Sequence, residues 1–252
     1  MLYNPQLEGS PFYWKGGSEG ILLIRGFSAT SAEVRPLAQS LHLSGYTVAA
    51  PLLPGHYTNP HDLNRVHWQD WVNTVEEWYQ RVRLQCNSIV VGGEATGALL
   101  SLFLASKHPE IVALLLYAPA LRLNLSPIET FLLHPLALFV PWLPKKNLDS
   151  NDLWQGYSVN PLKGVIQLLC LQKKDRPILP EIRQPILIIQ GKNDITVHPG
   201  VPDEIFNQVR STIKEKYWMD HSAHCVIIDQ EFDRVIGLTV QFLNRVLSTI
   251  QP

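Results

Sequence analysis

The chain has 252 residues, 46% of them apolar and 17% charged, with a formal net charge of −1. That balance supplies ample core for an α/β domain with an insertion, and it gives no electrostatic footing for nucleic acid or an anionic membrane. Cys86, Cys170 and Cys225 are widely spaced, form no CxxC pair and are odd in number, which points to core thiols rather than disulfides or zinc. No cofactor or metal is expected. The N-terminus lacks a charged segment followed by an apolar one, so no signal peptide is read and the cytoplasm is the default expectation. The longest apolar run, Phe131 to Leu143, is broken by His134, Pro135 and Pro141 and is too short to span a bilayer, so no transmembrane segment is expected.

In chain order, Ile21-Leu22-Leu23-Ile24 predicts a buried strand, followed by the turn Arg25-Gly26-Phe27-Ser28. A helix is expected from about Ser31 to Leu43, with Ser28 to Ser31 as capping candidates and Gly45 closing it. Strand Thr47–Ala50 ends at Pro51, and a turn-rich loop from Leu52 to Leu63 leads to a helix over about Trp68–Leu84. Trp71, Val75 and Trp78 share one of its faces. Ser88-Ile89-Val90-Val91 reads as a strand buried on both sides, and Ala98 to Lys107 as a buried helix. Ile111 to Tyr117 is another apolar strand. From about 121 to 180 the alternation stops. It resumes with Ile186–Ile189, a helix near Pro202–Val209, strand Lys216–Trp218 and a closing helix over about Phe232–Leu247.

Short apolar strands alternating with helices imply βαβ units, hence a mainly parallel sheet covered on both faces. Residues 1–120 and 181–252 form the expected core domain, with 121–180 as an inserted cap.

The strand-to-helix junction Val91-Gly92-Gly93-Glu94-Ala95-Thr96-Gly97-Ala98 is the most informative stretch. Glycines two residues before and two after position 95 suit a bend with no room for flanking side chains, which forces the central residue into strained backbone at a cost of roughly 1–3 kcal/mol. Such strain ordinarily lifts a serine oxygen above the sheet. Here the apex is alanine. Groups that do chemistry in such folds sit at the carboxyl ends of strands. That rule selects Gly191-Lys192-Asn193-Asp194 after one strand and Asp220-His221-Ser222-Ala223-His224 after the next. The order elbow, Asp, His fits a nucleophile–acid–base arrangement, and one helix plus one strand fit between Asp194 and His224.

With these motifs the sequence resembles the α/β-hydrolase esterases of the carboxylesterase and bacterial monoacylglycerol lipase type. The resemblance runs from Pro11-Phe12 through the LLIRGF turn, GYTVAAPLLPGH at 45–56, the DW at 70–71, the elbow, PILIIQGKND at 185–194 and HSAHCVIIDQ at 221–230, and is loose only over the insertion. It implies a Ser-His-Asp ester hydrolase of α/β-hydrolase fold whose serine falls at Ala95, acid at Asp194 and base at His224. The oxyanion donors it implies are the backbone N–H groups of Phe27 and Thr96. Two departures stand out: Arg25 where the family usually has His, and Tyr57 where it usually has Gly. Arg25 bears on local packing rather than on the backbone donors, and Tyr57 on the pocket rim.

His221 lies three residues from His224, but the family's S-x-H spacing fits Ser222-Ala223-His224. Thr96 follows the apex, so its hydroxyl should point away from the pocket. Glu94 reads as a polar residue paired near the sheet top, and Asp220 lies too close to the base for the usual acid. His42, His61, His67, His108 and His198 have no recognisable partners. Trp68, Trp71 and Trp78 read as packing.

The insertion carries Ile128, Phe131, Leu132, Leu136, Leu138, Phe139 and Trp142, too apolar for a linker. A small helical cap over the strand ends is expected, with Leu136, Phe139 and Trp142 as substrate contacts in a hydrophobic pocket. The expected partner is a small hydrophobic ester, with no nucleic acid. Two readings follow: a serine ester hydrolase inactivated by a Ser-to-Ala replacement at 95, or a natural catalytically dead relative serving as a ligand-binding or sensor protein. Retention of the Asp194 and His224 pair favours the first.

Overall fold

The computed structural model describes residues 2–145 and 152–248, so the part of the expected cap at 146–151 lies outside the described residues. Along the chain run β1 (Leu2–Tyr3), β2 (Phe12–Trp14), β3 (Glu19–Ile24), α1 (Arg35–Leu43), β4 (Thr47–Ala50), α2 (Pro60–Leu63), α3 (Trp68–Arg83), β5 (Ser88–Glu94), α4 (Thr96–Lys107) and β6 (Ala113–Tyr117). The insertion holds α5 (Pro127–Phe139), β7 (Trp142–Pro144), β8 (Gly156–Tyr157), β9 (Val159–Pro161) and α6 (Leu162–Ile178). The core then resumes with β10 (Ile186–Gly191), α7 (Val201–Gln208), β11 (Lys214–Met219) and α8 (Phe232–Ser248).

Seven strands form one sheet in the order β11-β10-β6-β5-β3-β4-β2, parallel throughout except for β2 against β4. The apolar strands explain the layering. Alternate side chains of β3 leave on opposite sides: Leu22 and Ile24 join the core beneath α3 and α4, whereas Ile21 and Leu23 join the core beneath α1 and α8. β10 divides the same way, Ile186 and Ile188 against Leu187 and Ile189. A strand apolar at every position is thus one buried on both faces. This is the α/β-hydrolase fold expected from the sequence.

Several boundaries differ from the sequence reading, for local reasons. The helix expected from Ser31 begins at Arg35, and its first turn has no side-chain cap. The would-be capping residues are committed elsewhere: the Ser31 hydroxyl donates to the Pro51 carbonyl (3.2 Å) and the Thr30 hydroxyl to Gln155 Oε1 (2.6 Å). On α3 the buried stripe is Trp71, Val75, Tyr79 and Val82, with Trp78 only half-buried beside Arg81.

The segment between β6 and β10 is partly helical. β7 and β9 pair antiparallel, and β8 pairs with β1 at the N-terminus. α6 lies against α4, and its Gln172 donates to the Ala120 carbonyl in the loop after β6 (2.6 Å). Asn64 fastens both limbs of the insertion to the core: its amide donates to the Pro141 carbonyl (2.8 Å), and its oxygen accepts from the Lys163 amide (2.9 Å). The exposure of α5 corrects the sequence reading. Leu133 and Ala137 pack inward against Leu162, while Ile128, Leu132 and Leu138 are exposed, and so are Phe131 at 76% and Phe139 at 85%. No helix among the described residues is long and apolar enough to cross a membrane.

Candidate active site

The site grows from the β5–α4 junction. Ala95 sits between strand and helix with φ 50° and ψ −106°, in the left-handed region that an L-residue rarely enters without external support. Two hydrogen bonds supply it: the Ala95 amide donates to the Tyr117 carbonyl (2.9 Å), and the Ala95 carbonyl accepts from the Ala120 amide (3.2 Å). The flanking glycines are steric necessities. A Cβ on Gly93 or Gly97 would overlap the Ile24 carbonyl oxygen at the end of β3. The elbow is therefore pressed directly onto the neighbouring strand.

Thr96, the first residue of α4, is buried, and its hydroxyl has no hydrogen-bond partner. Its backbone N–H is one of the unpaired donors at a helix N-terminus. Phe27 lies in the β3 turn, its ring edge-on to Trp71 (6.3 Å) and His56 (6.2 Å). The two backbone donors expected for an oxyanion thus belong to the elbow and to the turn that follows the strand it presses on.

Asp194 and His224 meet in the loops that follow the paired strands β10 and β11. His224 Nδ1 lies 2.8 Å from Asp194 Oδ2, which also accepts from Gln190 Nε2 (2.7 Å). The other oxygen accepts from the amides of Thr196 (2.7 Å) and Val197 (3.0 Å). Burial alone would raise the Asp194 carboxyl, but the His224 ring, its hydrogen bond and those two amides outweigh it and hold the group below its ordinary value. An acid fixed by four donors can set the tautomer of the ring and stabilise it when protonated. His221 is exposed and its backbone N–H donates to Glu231 (2.8 Å), while Asp220 pairs with Lys192 (2.5 Å) at the surface.

Other sequence expectations need correction. Glu94 is not paired near the sheet top: it is fully buried, and neither oxygen makes a hydrogen bond of normal geometry. Its burial, then the charges of Glu33 and Asp194, push its carboxyl well above the ordinary range, with the Val226 and Ile227 amides leaning the other way. His108 has partners, Glu76 (2.8 Å) and Glu110 (3.3 Å), and His198 lies 2.9 Å from Arg122. Leu136 is half-buried against the small cluster of Leu133, Ala137 and Leu162, Trp142 packs edge-on to His61 (4.6 Å), and Phe139 faces solvent beside a hollow lined by His61, Arg65 and Lys163.

Sequence reasoning missed a buried polar layer behind the turn. Arg25 is completely buried, with Nη1 donating to the Gly26 carbonyl (2.7 Å); desolvation lowers its pKa to about 9 against the opposing charge of Glu33. Glu33 accepts from the Gly26 amide (2.6 Å) and the Trp154 indole N–H (3.0 Å). His56 is buried between Tyr157 and Trp71, and burial, aided by Arg25, holds its ring well below the ordinary histidine value. The one signal in the sequence was Arg25 itself, a charge at the end of an all-apolar strand. Among the described residues no cluster of side chains could hold a metal.

Known proteins resemble this chain in sequence and in fold. A thermostable monoacylglycerol lipase of Bacillus sp. (strain H-257) is 33% identical over 247 residues, 96% of this chain and 97% of that protein. A carboxylesterase of Bacillus subtilis (strain 168) is 25% identical over 236 residues, covering 93% and 96%. Among solved structures, one described with LipS and LipT, two metagenome-derived lipolytic enzymes, superposes with a TM-score of 0.87 at 27% identity and covers 95% of this chain and 99% of that one. The Paleococcus ferrophilus monoacylglycerol lipase, at 17% identity and a TM-score of 0.74, shares the fold. Residues 18–231 match the family model described as serine aminopeptidase, S33. The chain belongs to that family of α/β hydrolases.

Proposed function

We propose that this chain carries the site of a serine-type carboxylic ester hydrolase for a hydrophobic acyl or aryl ester, inactivated by alanine at the nucleophile position, 95. The observation that carries the reading is the Asp194–His224 pair at 2.8 Å, retained at the same edge of the parallel sheet as an elbow whose apex is held at positive φ. A site without chemistry has no use for an oriented base. The lipase and esterase relatives support the same substrate class.

With serine at 95, His224 Nε2 removes the hydroxyl proton as the oxygen attacks the ester carbonyl. The Phe27 and Thr96 amides hold the oxyanion, and Asp194 stabilises the imidazolium. The proton then passes to the leaving alcohol, and water attacks the acyl-enzyme by the reverse sequence. The insertion at 121–180 acts as the cap, and Leu136, Phe139 and Trp142 remain its proposed ester contacts, the exposed Phe139 the least sheltered of them. The second reading, a natural non-catalytic relative that binds or senses a ligand, rests on Ala95 itself.

The test is Ala95→Ser followed by hydrolysis of p-nitrophenyl esters of increasing chain length and of monoacylglycerols. Removal of such a nucleophile costs several orders of magnitude, so the serine form should gain at least about 10³-fold. The gain should vanish in Ala95→Ser/His224→Ala and survive in Ala95→Ser/His221→Ala. No gain on any ester sinks the hydrolase reading in favour of the binding protein.

A further inference from the structure

The residue that orients the Phe27 N–H is gripped from both ends by a buried pair of opposite charge. Gly26 donates its N–H to Glu33 Oε2 (2.6 Å), and its carbonyl accepts from Arg25 Nη1 (2.7 Å). Arg25 is fully buried and Glu33 nearly so, and Glu33 is the charge that most offsets the burial of Arg25. The carbonyl of Gly26 and the N–H of Phe27 belong to one planar peptide, and the chain has no cis peptide bonds among its described residues. A donor on that carbonyl therefore fixes the direction of the Phe27 N–H on the opposite side. Space is equally constrained, since a Cβ on Gly26 would lie 3.1 Å from Glu33 Oε2 and 3.4 Å from the Ala95 methyl. The remaining donors to Glu33 tie the same carboxylate to other parts of the site: the Trp154 indole N–H at 3.0 Å and the Cys225 thiol at 3.7 Å, next in sequence to His224.

We propose that Arg25 and Glu33 are positioning residues that clamp the Gly26–Phe27 peptide, fixing the direction of its N–H for the oxyanion of a carbonyl attacked from position 95, with Trp154 linking that clamp to the insertion. The kinetic part of the proposal rests on the ester-hydrolase reading; the structural part does not. Glutamine is a sensitive probe because the donors around Glu33 call for an acceptor-only group, and an amide would turn an N–H toward one of them. Lysine at 25 keeps the charge but not the planar fork that reaches the Gly26 carbonyl.

In the Ala95→Ser background, Glu33→Gln should lower kcat about 10- to 100-fold, up to the range seen on losing an oxyanion donor, with KM within about threefold. Arg25→Lys should lower kcat about 3- to 10-fold in the same pattern. In the alanine chain, with no activity required, ¹H–¹⁵N spectra should show the Gly26 amide shifted downfield and slow to exchange. In Glu33→Gln it should move upfield and exchange at least about tenfold faster. Unchanged kcat in both variants, even with lowered thermal stability, overturns the positioning role, as does a rise in KM alone. An unmoved Gly26 signal overturns the clamp. Should Glu33→Gln not fold, Arg25→Lys decides the kinetic arm and its Gly26 and Phe27 amide shifts decide the structural one. If Ala95→Ser hydrolyses no ester, the function reading falls, and the spectra alone decide whether the clamp exists.

Discussion

At the scale of single residues, Glu94 stands apart because nothing in the proposed chemistry uses it. It immediately precedes the elbow apex, wholly buried and without a normal hydrogen bond. Its carboxyl is raised well above the ordinary value of 4.5 by burial, then by Glu33 and Asp194, so the folded chain binds this proton more tightly than the unfolded chain does. The sign of the linkage follows: its contribution is fully present below about pH 4.5 and declines as pH rises toward the folded value. Glu94→Gln removes the titration. Its melting temperature should therefore gain on the parent's as pH is raised from about 4.5 to about 8, and a gap that stays flat or shrinks across circular-dichroism melts would refute the assignment. Asp194 runs the other way. Its lowered value contributes stability above the ordinary aspartate range that disappears as acid protonates it.

At the scale of elements, the strands and the elbow were legible because their signals are local. Runs such as Ile21–Ile24 and Ile186–Ile189 are apolar at every position, and only a strand covered on both faces satisfies that. Gly93 and Gly97 announced the bend at fixed spacing. α5 was not legible in the same way, since it is apolar around most of its circumference and no side of the sequence pattern marks the interior. Only its contacts show that Leu133 and Ala137 face inward. With so small a buried stripe, α5 depends on its end. Ser126 Oγ accepts from the Glu129 amide (3.2 Å) while the Glu129 carboxylate accepts from the Ser126 amide (2.8 Å). Ser126→Ala should cost about 1 kcal/mol, felt locally. Amide exchange over α5 should quicken about fivefold while exchange in β5 and β10 holds, and equal acceleration in all three would show that the helix does not open by itself.

At the scale of the whole molecule, what stayed hidden was contact between distant segments. Glu33 and Trp154 are 121 residues apart and meet only because the insertion returns over the turn after β3. Asp194 and His224 were found because strand order alone brings their loops together; the polar layer of Arg25, Glu33 and His56 obeys no spacing rule. The acceptor on Glu33 has meaning only once the segment carrying Trp154 is folded beside it.

The backbone at position 95 is set entirely by neighbours: two hydrogen bonds to the chain leaving β6 and two glycines seated on Ile24. Location and chemistry are thereby separable, and the socket will present whatever side chain is put there. A thiol makes this measurable without any substrate. Ala95→Cys places sulfur at the N-terminus of α4 and, if the proposed triad holds, in reach of His224, conditions that favour the thiolate. Iodoacetamide should modify it at least about tenfold faster than Cys86 and Cys225, both buried, and His224→Ala should erase most of that advantage. Equal rates with and without His224 would mean the histidine does not address the socket. On that view the fold is a mount whose reagent can be exchanged.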